Sequence, residues 1–162
     1  LMTMPIKKTE FICAYAIAFC ILGTIQAVVA GLASIYIFGL ETGGKTVAVI
    51  GIAILDSILG TALGLLASSL ARTEFQAVQF MPVVLIPQFL LGGFIVPRDS
   101  LPSFLNFLSD LMPLSYSVDA LSQVFRQGTN LHSEYLNNVL VVLLISVIAL
   151  AIGGLTLRRS SK

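Results

Sequence analysis

Residues 46–71 read TVAVIGIAILDSILGTALGLLASSLA, and Asp56 is the only charged side chain among them. A membrane-crossing helix needs roughly 20 apolar residues, each rising about 1.5 Å through a hydrocarbon core about 30 Å thick. This stretch meets that requirement. Working outward, residues 11–40, 75–96 and 136–157 meet it as well. Inside lipid the backbone must satisfy its own hydrogen bonds, so these segments are helices and not isolated strands. The expected fold is an all-α integral membrane protein, one transmembrane domain with four spans.

Composition agrees. The chain of 162 residues is 57% hydrophobic and 10% charged, with a mean hydropathy of +0.98. A soluble domain carries about 25% charged residues, so polar surface enough for water is missing. A formal net charge of +1 gives no indication of nucleic acid as a partner. Cys13 and Cys20 both lie in the first apolar run and read as small packing residues, not as a disulfide or metal site. Lys7 and Lys8 followed by an apolar stretch imitate a signal peptide. The uncharged run, however, continues through Phe38, far beyond the ~7–15 residues of a signal core. It reads as a retained span. A first residue of Leu1 instead of Met points to a truncated chain or an alternative start codon.

Lys and Arg placement predicts orientation. With a cytoplasmic N-terminus, that side receives Lys7, Lys8, Arg72, Arg158, Arg159 and Lys162, and the other side Lys45, Arg98 and Arg126. Both termini are therefore expected in the cytoplasm. The connections at 41–45 and 72–74 are tight, whereas 97–135 is a long external segment.

That segment carries two amphipathic helices. Over 101–112, Leu101, Phe104, Leu105, Leu108, Leu111 and Met112 recur at helical spacing opposite Ser103, Asn106 and Asp110. Asp99 or Ser100 can cap its start and Pro113 can stop it. A second helix is predicted over 118–127, with Ser117 as N-cap, Asp119 in the first turn, Arg126 in the last and Gly128 after it. Neither is long enough to span, so both are expected at the outer interface or as re-entrant elements.

Within the spans, Ala53, Ser57, Gly60, Gly64, Ala67 or Ser68, and Ala71 share one helical face. Small residues let another helix approach closely, within one subunit or between two. Asp56 lies in the same span. A central Asp costs about 2.5–3.5 kcal/mol on insertion scales, so it faces protein or water. It reads either as a carboxylate lining a translocation path or as a protonated or hydrogen-bonded residue partnered by Ser57 or a neighbouring helix. The third span holds Pro82, Pro87, Gln76, Gln79 and Gln88, which suits a bent wall that moves, lines a path or simply packs.

Two motifs are set aside. Gly39 to Thr46 satisfies the phosphate-loop pattern G-x-x-x-x-G-K-[ST], with Asp56 after an apolar run. That chemistry requires a strand before the loop and a separate strand for the acid, and here the loop joins two membrane helices. The single His, His132, lies in the external connection, where it cannot serve an intramembrane protease. No catalytic, cofactor-binding or metal residue is expected.

Three pieces together carry a family resemblance. Leu70-Ala71-Arg72-Thr73-Glu74-Phe75-Gln76-Ala77-Val78-Gln79 resembles the cytoplasmic turn of ABC-2 type transporter permeases. Pro87-Gln88-Phe89-Leu90-Leu91-Gly92-Gly93-Phe94 and Pro97-Arg98 follow in family order. Met112-Pro113-Leu114-Ser115-Tyr116-Ser117-Val118-Asp119-Ala120-Leu121 resembles the family's external signature before the last helix. Arg72, Glu74, Pro97, Arg98, Pro113, Tyr116 and Asp119 are thus the family-motif positions.

The resemblance implies a drug, antibiotic or polysaccharide exporter permease. Such a permease has six membrane helices, with two re-entrant helices between the last two. The four spans would be the last four, with Leu1–Glu10 the tail of a coupling segment, and the chain is not expected to transport alone. It also implies a separate ATP-binding subunit, a second permease subunit as homo- or heterodimer, membrane lipid around it, and no ATP hydrolysis by the chain itself. Asp56, Gly60, Gly64, Gln79 and Gln88 are the candidates for a translocation path or interface. The other classes open to this sequence are a membrane scaffold or immunity-type protein and, more weakly, an intramembrane enzyme built on Asp56.

Overall fold

A computed structural model describes residues 8–43, 45–126 and 133–156, and the described residues hold helices and turns without a strand. Six α-helices follow in order: α1 Lys8–Tyr36, α2 Thr46–Leu70, α3 Glu74–Leu91, α4 Ser103–Asp110, α5 Pro113–Arg126 and α6 Ser133–Thr156, with a 3₁₀ turn at Arg98–Ser100 before α4. Cys13–Tyr36, α2, α3 and α6 are the four described segments long and apolar enough to cross a membrane. The all-helical membrane architecture read from hydropathy is the architecture observed.

α2 is the hub, in contact with α1, α3, α5 and α6. Its Val49 and Ile52 meet Ala120 and Val124 of α5 in one buried cluster. One turn further along, Leu55 and Leu59 meet Val142 of α6 in a second cluster. The core is therefore the seam between α2, α5 and α6. α1 and α3 sit outside it: Gln88 is the one fully buried residue of α3, and most of the large apolar side chains of α1 are exposed. Such exposure is what lipid requires, since acyl chains are as apolar as leucine.

Helix ends differ from the sequence expectation where proline and glycine decide them. The third span was expected to reach residue 96, but α3 stops at Leu91, where Gly92 caps it and Gly93 turns with φ +89°. α4 begins at Ser103 after Pro102, so neither Asp99 nor Ser100 caps it. Pro113 does more than end a helix. It opens α5, five residues before the predicted start, since a proline at the first helical position loses no intrahelical bond. Ser117 therefore lies inside α5 and is not its N-cap. His132 and Gly128 lie outside the described residues, as do Lys7, Arg158, Arg159 and Lys162.

α3 starts as its sequence dictates. Thr73 has extended backbone and its hydroxyl accepts from the Gln76 amide, while the Gln76 side chain accepts from the Arg72 amide. This reciprocal arrangement is close to a capping box. It makes the turn between α2 and α3 tight.

Candidate functional site: a groove that reaches Asp56

Three glycines set the helix spacing, and none is the pair on α2 that the sequence points to. A Cβ on Gly23 of α1 would stand 2.0 Å from Ser57 Oγ, one on Gly31 would stand 3.3 Å from Ile50, and one on Gly153 of α6 would stand 3.4 Å from the Leu66 backbone. Close approach to α2 thus relies on glycines of its neighbours. Gly60 and Gly64 have open space where a Cβ would be. They line a groove.

The groove has a volume of about 2330 Å³ and runs between α1 and α2, with Met81 of α3 and Thr156 of α6 at its edge. Arg72, at the end of α2, marks its mouth. It passes Asp56 and runs on to Ala53 of α2 and Ala30 of α1. Asp56 is the eleventh residue of α2, so it lies about 15 Å from one end of that helix and about 24 Å along it from Arg72. That depth is close to the middle of a bilayer. Polar side chains accompany it: Gln26 of α1 and Ser57, Thr61, Ser68 and Ser69 of α2 all line the groove.

Asp56 accepts a hydrogen bond from the Ser117 hydroxyl of α5. This bond links residues 61 positions apart. Its chemistry depends on α5 starting at Pro113, because only then does the Ser117 side chain project from the helix instead of capping it.

Beyond Asp56, α4 and α5 form a polar knot. Arg98 pairs with both Asp110 of α4 and Asp119 of α5. Its guanidinium carbon lies 5.9 Å from the centre of the Tyr116 ring, and the Tyr116 hydroxyl donates to the Asp110 carbonyl at 2.8 Å. Ser109 donates to the Leu91 carbonyl at the end of α3, 2.7 Å away, and shares a 3.1 Å hydrogen bond with Ser115. Arg98, Tyr116 and Asp119, named from sequence, therefore meet in one cluster. Arg72 and Glu74 lie at the opposite end, in the turn before α3 and at its first residue.

The phosphate-loop lookalike has a structural occupation. Lys45 Nζ donates to the Val124 carbonyl at 2.9 Å, in the last turn of α5. A lysine near a helix C-terminus satisfies a carbonyl that lacks an intrahelical donor. The loop follows α1, a helix, where nucleotide chemistry requires a strand.

Among the path candidates, Asp56, Gly60 and Gly64 come together along the groove. Gln79 is exposed on α3, and Gln88 is buried with its amide donating to the Val84 carbonyl of its own helix at 3.2 Å. Neither lines the groove. Sequence reasoning passed over Gln26, Tyr15 and Phe19. Their signal was present: Tyr15, Phe19, Gly23 and Ala27 recur every fourth residue, which stacks them on one face of α1.

The fold and site define a polytopic helical membrane protein with a half-open groove between α1 and α2, lined by polar and apolar side chains and reaching Asp56. The ABC-2 type transporter family model matches residues 1–125, and the chain belongs to that family. It is 28% identical over 151 residues to the probable multidrug ABC transporter permease YbhS of Escherichia coli, covering 93% of this chain and 38% of that protein. It is 27% identical over 139 residues to ABC transporter G family member 20 of Dictyostelium discoideum, 85% of this chain and 19% of that one. Over 159 residues it is 23% identical to the linearmycin resistance permease protein LnrN of Bacillus subtilis, 98% of this chain and 40% of that protein. The chain thus spans less than half the length of these relatives. No solved structure matches it.

Proposed function

We propose that this chain forms part of the permease of an ATP-driven exporter, and that the groove from Arg72 to Asp56 is a section of its substrate path. The observation that carries this reading is the groove itself: it brings Asp56, Gln26, Ser57 and Thr61 together with apolar side chains at mid-membrane depth. Polar groups at that depth are costly, and their usual role is to line a cavity or path. The relatives named for multidrug and linearmycin permeases favour an amphipathic or drug-like substrate over a scaffold role.

In this reading the chain hydrolyses nothing. A separate ATP-binding subunit docks at the end that carries Arg72, Glu74 and both termini, in the cytoplasm, and a second permease subunit completes the path. α4 and α5 close the outer end, in the cell membrane. Purification from native membranes tests it. A stoichiometric ATP-binding protein is expected to accompany the chain, and its reproducible absence from intact, inserted protein would defeat the exporter in favour of the scaffold.

A further inference from the structure

The groove has a charge pattern that selects among substrates. Of the side chains that line it, Asp56 and Arg72 are the acidic and basic types. Arg72 is exposed at the mouth, about 24 Å away along α2. At that separation Arg72 is far outside ion-pair contact with Asp56, and the Coulomb energy falls with distance. The other described basic side chains are occupied elsewhere. Arg98 is held by Asp110 and Asp119, and Lys45 by the end of α5. Asp56 thus has no cation beside it among the described residues, and its one hydrogen bond there is a neutral hydroxyl on Oδ1.

The wall opposite supplies the other half of a binding site. Gly23 brings α1 against Ser57, the neighbour of Asp56. Phe19 and Tyr15 stand one and two turns from Gly23 toward the mouth, at about 6 Å per four residues. Their rings form a pair with centroids 5.9 Å apart, and both line the groove. Gly60 and Gly64 face the same space from α2 with no side chain to fill it. The result is a slot with two tilted aromatic rings on one side, the Gly60–Gly64 face of α2 on the other and the Asp56 carboxyl further along it.

We propose that Asp56 is the head-group site for a lipophilic monocation, whose apolar body lies in the slot between Tyr15 and Phe19 of α1 and the Gly60–Gly64 face of α2. This rests on the permease reading and names the substrate class of that path. A carboxylate within the membrane gains most from a partner of opposite charge. Aromatic faces attract cations and pack flat apolar rings. An anion of the same shape meets the carboxylate and is refused. The bound cation competes with the Ser117 hydroxyl for Asp56, so occupancy of the slot loosens α5 from α2. Asp56 then links the groove to α5, which stays packed on α2 through Val49, Ile52, Ala120 and Val124.

Tetraphenylphosphonium and tetraphenylborate are the probes, since they share a shape and differ in charge. Equilibrium binding is measured on the protein in nanodiscs of zwitterionic lipid, with empty nanodiscs as the baseline. The phosphonium is expected to bind above baseline, and Asp56→Asn to weaken it at least about ten-fold, the effect of losing one charge contact in a desolvated site. The borate should bind no better to the parent than to empty discs.

Asp56→Glu should keep the preference for the cation. Ser117→Ala removes the competing donor and should bind the phosphonium at least as tightly as the parent. Equal phosphonium affinity in the parent and Asp56→Asn would overturn the proposal. So would a loss in Ser117→Ala as large as that in Asp56→Asn, since α5 docking and not the carboxylate would then be what the probe senses. The binding readout needs no ATPase, so it fails separately from the exporter reading: a permease with an ATP-binding partner and no cation preference keeps its function and loses this site.

Discussion

The two ends of the helical bundle are built on different terms. At the end where α4 and α5 lie, side chains far apart in sequence bind one another. Arg98 joins Asp110 and Asp119, Ser109 reaches the end of α3, Lys45 reaches the end of α5 and Ser117 reaches Asp56. At the end that carries Arg72, the hydroxyls of Thr61, Ser69 and Thr156 each turn back to a carbonyl of their own helix. The difference matters because lipid supplies no hydrophobic drive between helices. Packing and interhelical hydrogen bonds decide which parts are fixed. One end is cross-linked by side chains between helices, and the other is held by helix packing such as that of Gly153 on Leu66.

The comparison can be broken most directly at Arg98. Arg98→Ala leaves two carboxylates without their shared partner, and the guanidinium it removes is only 16% exposed. Asp110 and Asp119 are 56% and 37% exposed, so water screens part of the loss. A destabilisation of about 2–3 kcal/mol is expected, between the surface and the buried limits for an ion pair. Thermal unfolding in detergent reads it. Arg98→Lys should recover only part, because one ammonium cannot serve two carboxylates with a planar fork. No change in either variant would mean that the cross-linked end is not held by this cluster.

A smaller effect is expected at Ser109, which is fully buried and bridges α3 to α5 through Leu91 and Ser115. Ser109→Ala leaves a carbonyl and a hydroxyl short of a partner and should cost about 1–2 kcal/mol. Hydrogen exchange in the turn after α3 should rise with it. Unchanged protection would place the rigidity of that turn in Gly92 and Gly93 instead.

The smallest pair sharpens the contrast within the groove. Gly23→Ala forces Ser57 Oγ aside and should cost about 1 kcal/mol, at the low end for overpacking because a rotatable hydroxyl is what must move. Gly60→Ala has open space for its Cβ and should be neutral, or stabilising by up to about 1 kcal/mol through helix propensity. Melting temperatures of the two variants in one detergent decide it. A loss at Gly60 equal to that at Gly23 would show that something covers the groove there.

Much was legible in the residues alone. A single charge in each long apolar run, or none, fixed the spans, because the bilayer tolerates no more. Amphipathic spacing in 97–135 announced two helices too short to cross. The motif around Arg72 and the one from Pro113 to Asp119 carried the family. What sequence could not assign was which faces meet. In lipid an apolar side chain is as content against an acyl chain as against another helix, so hydropathy marks no inner side. Glycines on α2 looked like contact points, yet Gly23, Gly31 and Gly153 make the contacts and Gly60 and Gly64 face a groove.

Proline gave the other surprise. Pro113 both ends one helix and starts the next, and that shift frees Ser117 to bind Asp56. Pairs such as Asp56 with Ser117, or Lys45 with Val124 79 positions away, have no local signature at all. The sequence by itself determined that the chain lives in a membrane and which of the described segments are apolar and long enough to cross it, since solvation acts residue by residue. Only the tertiary structure decided where the carboxylate points and what it holds, since that depends on helices brought together over long stretches of chain.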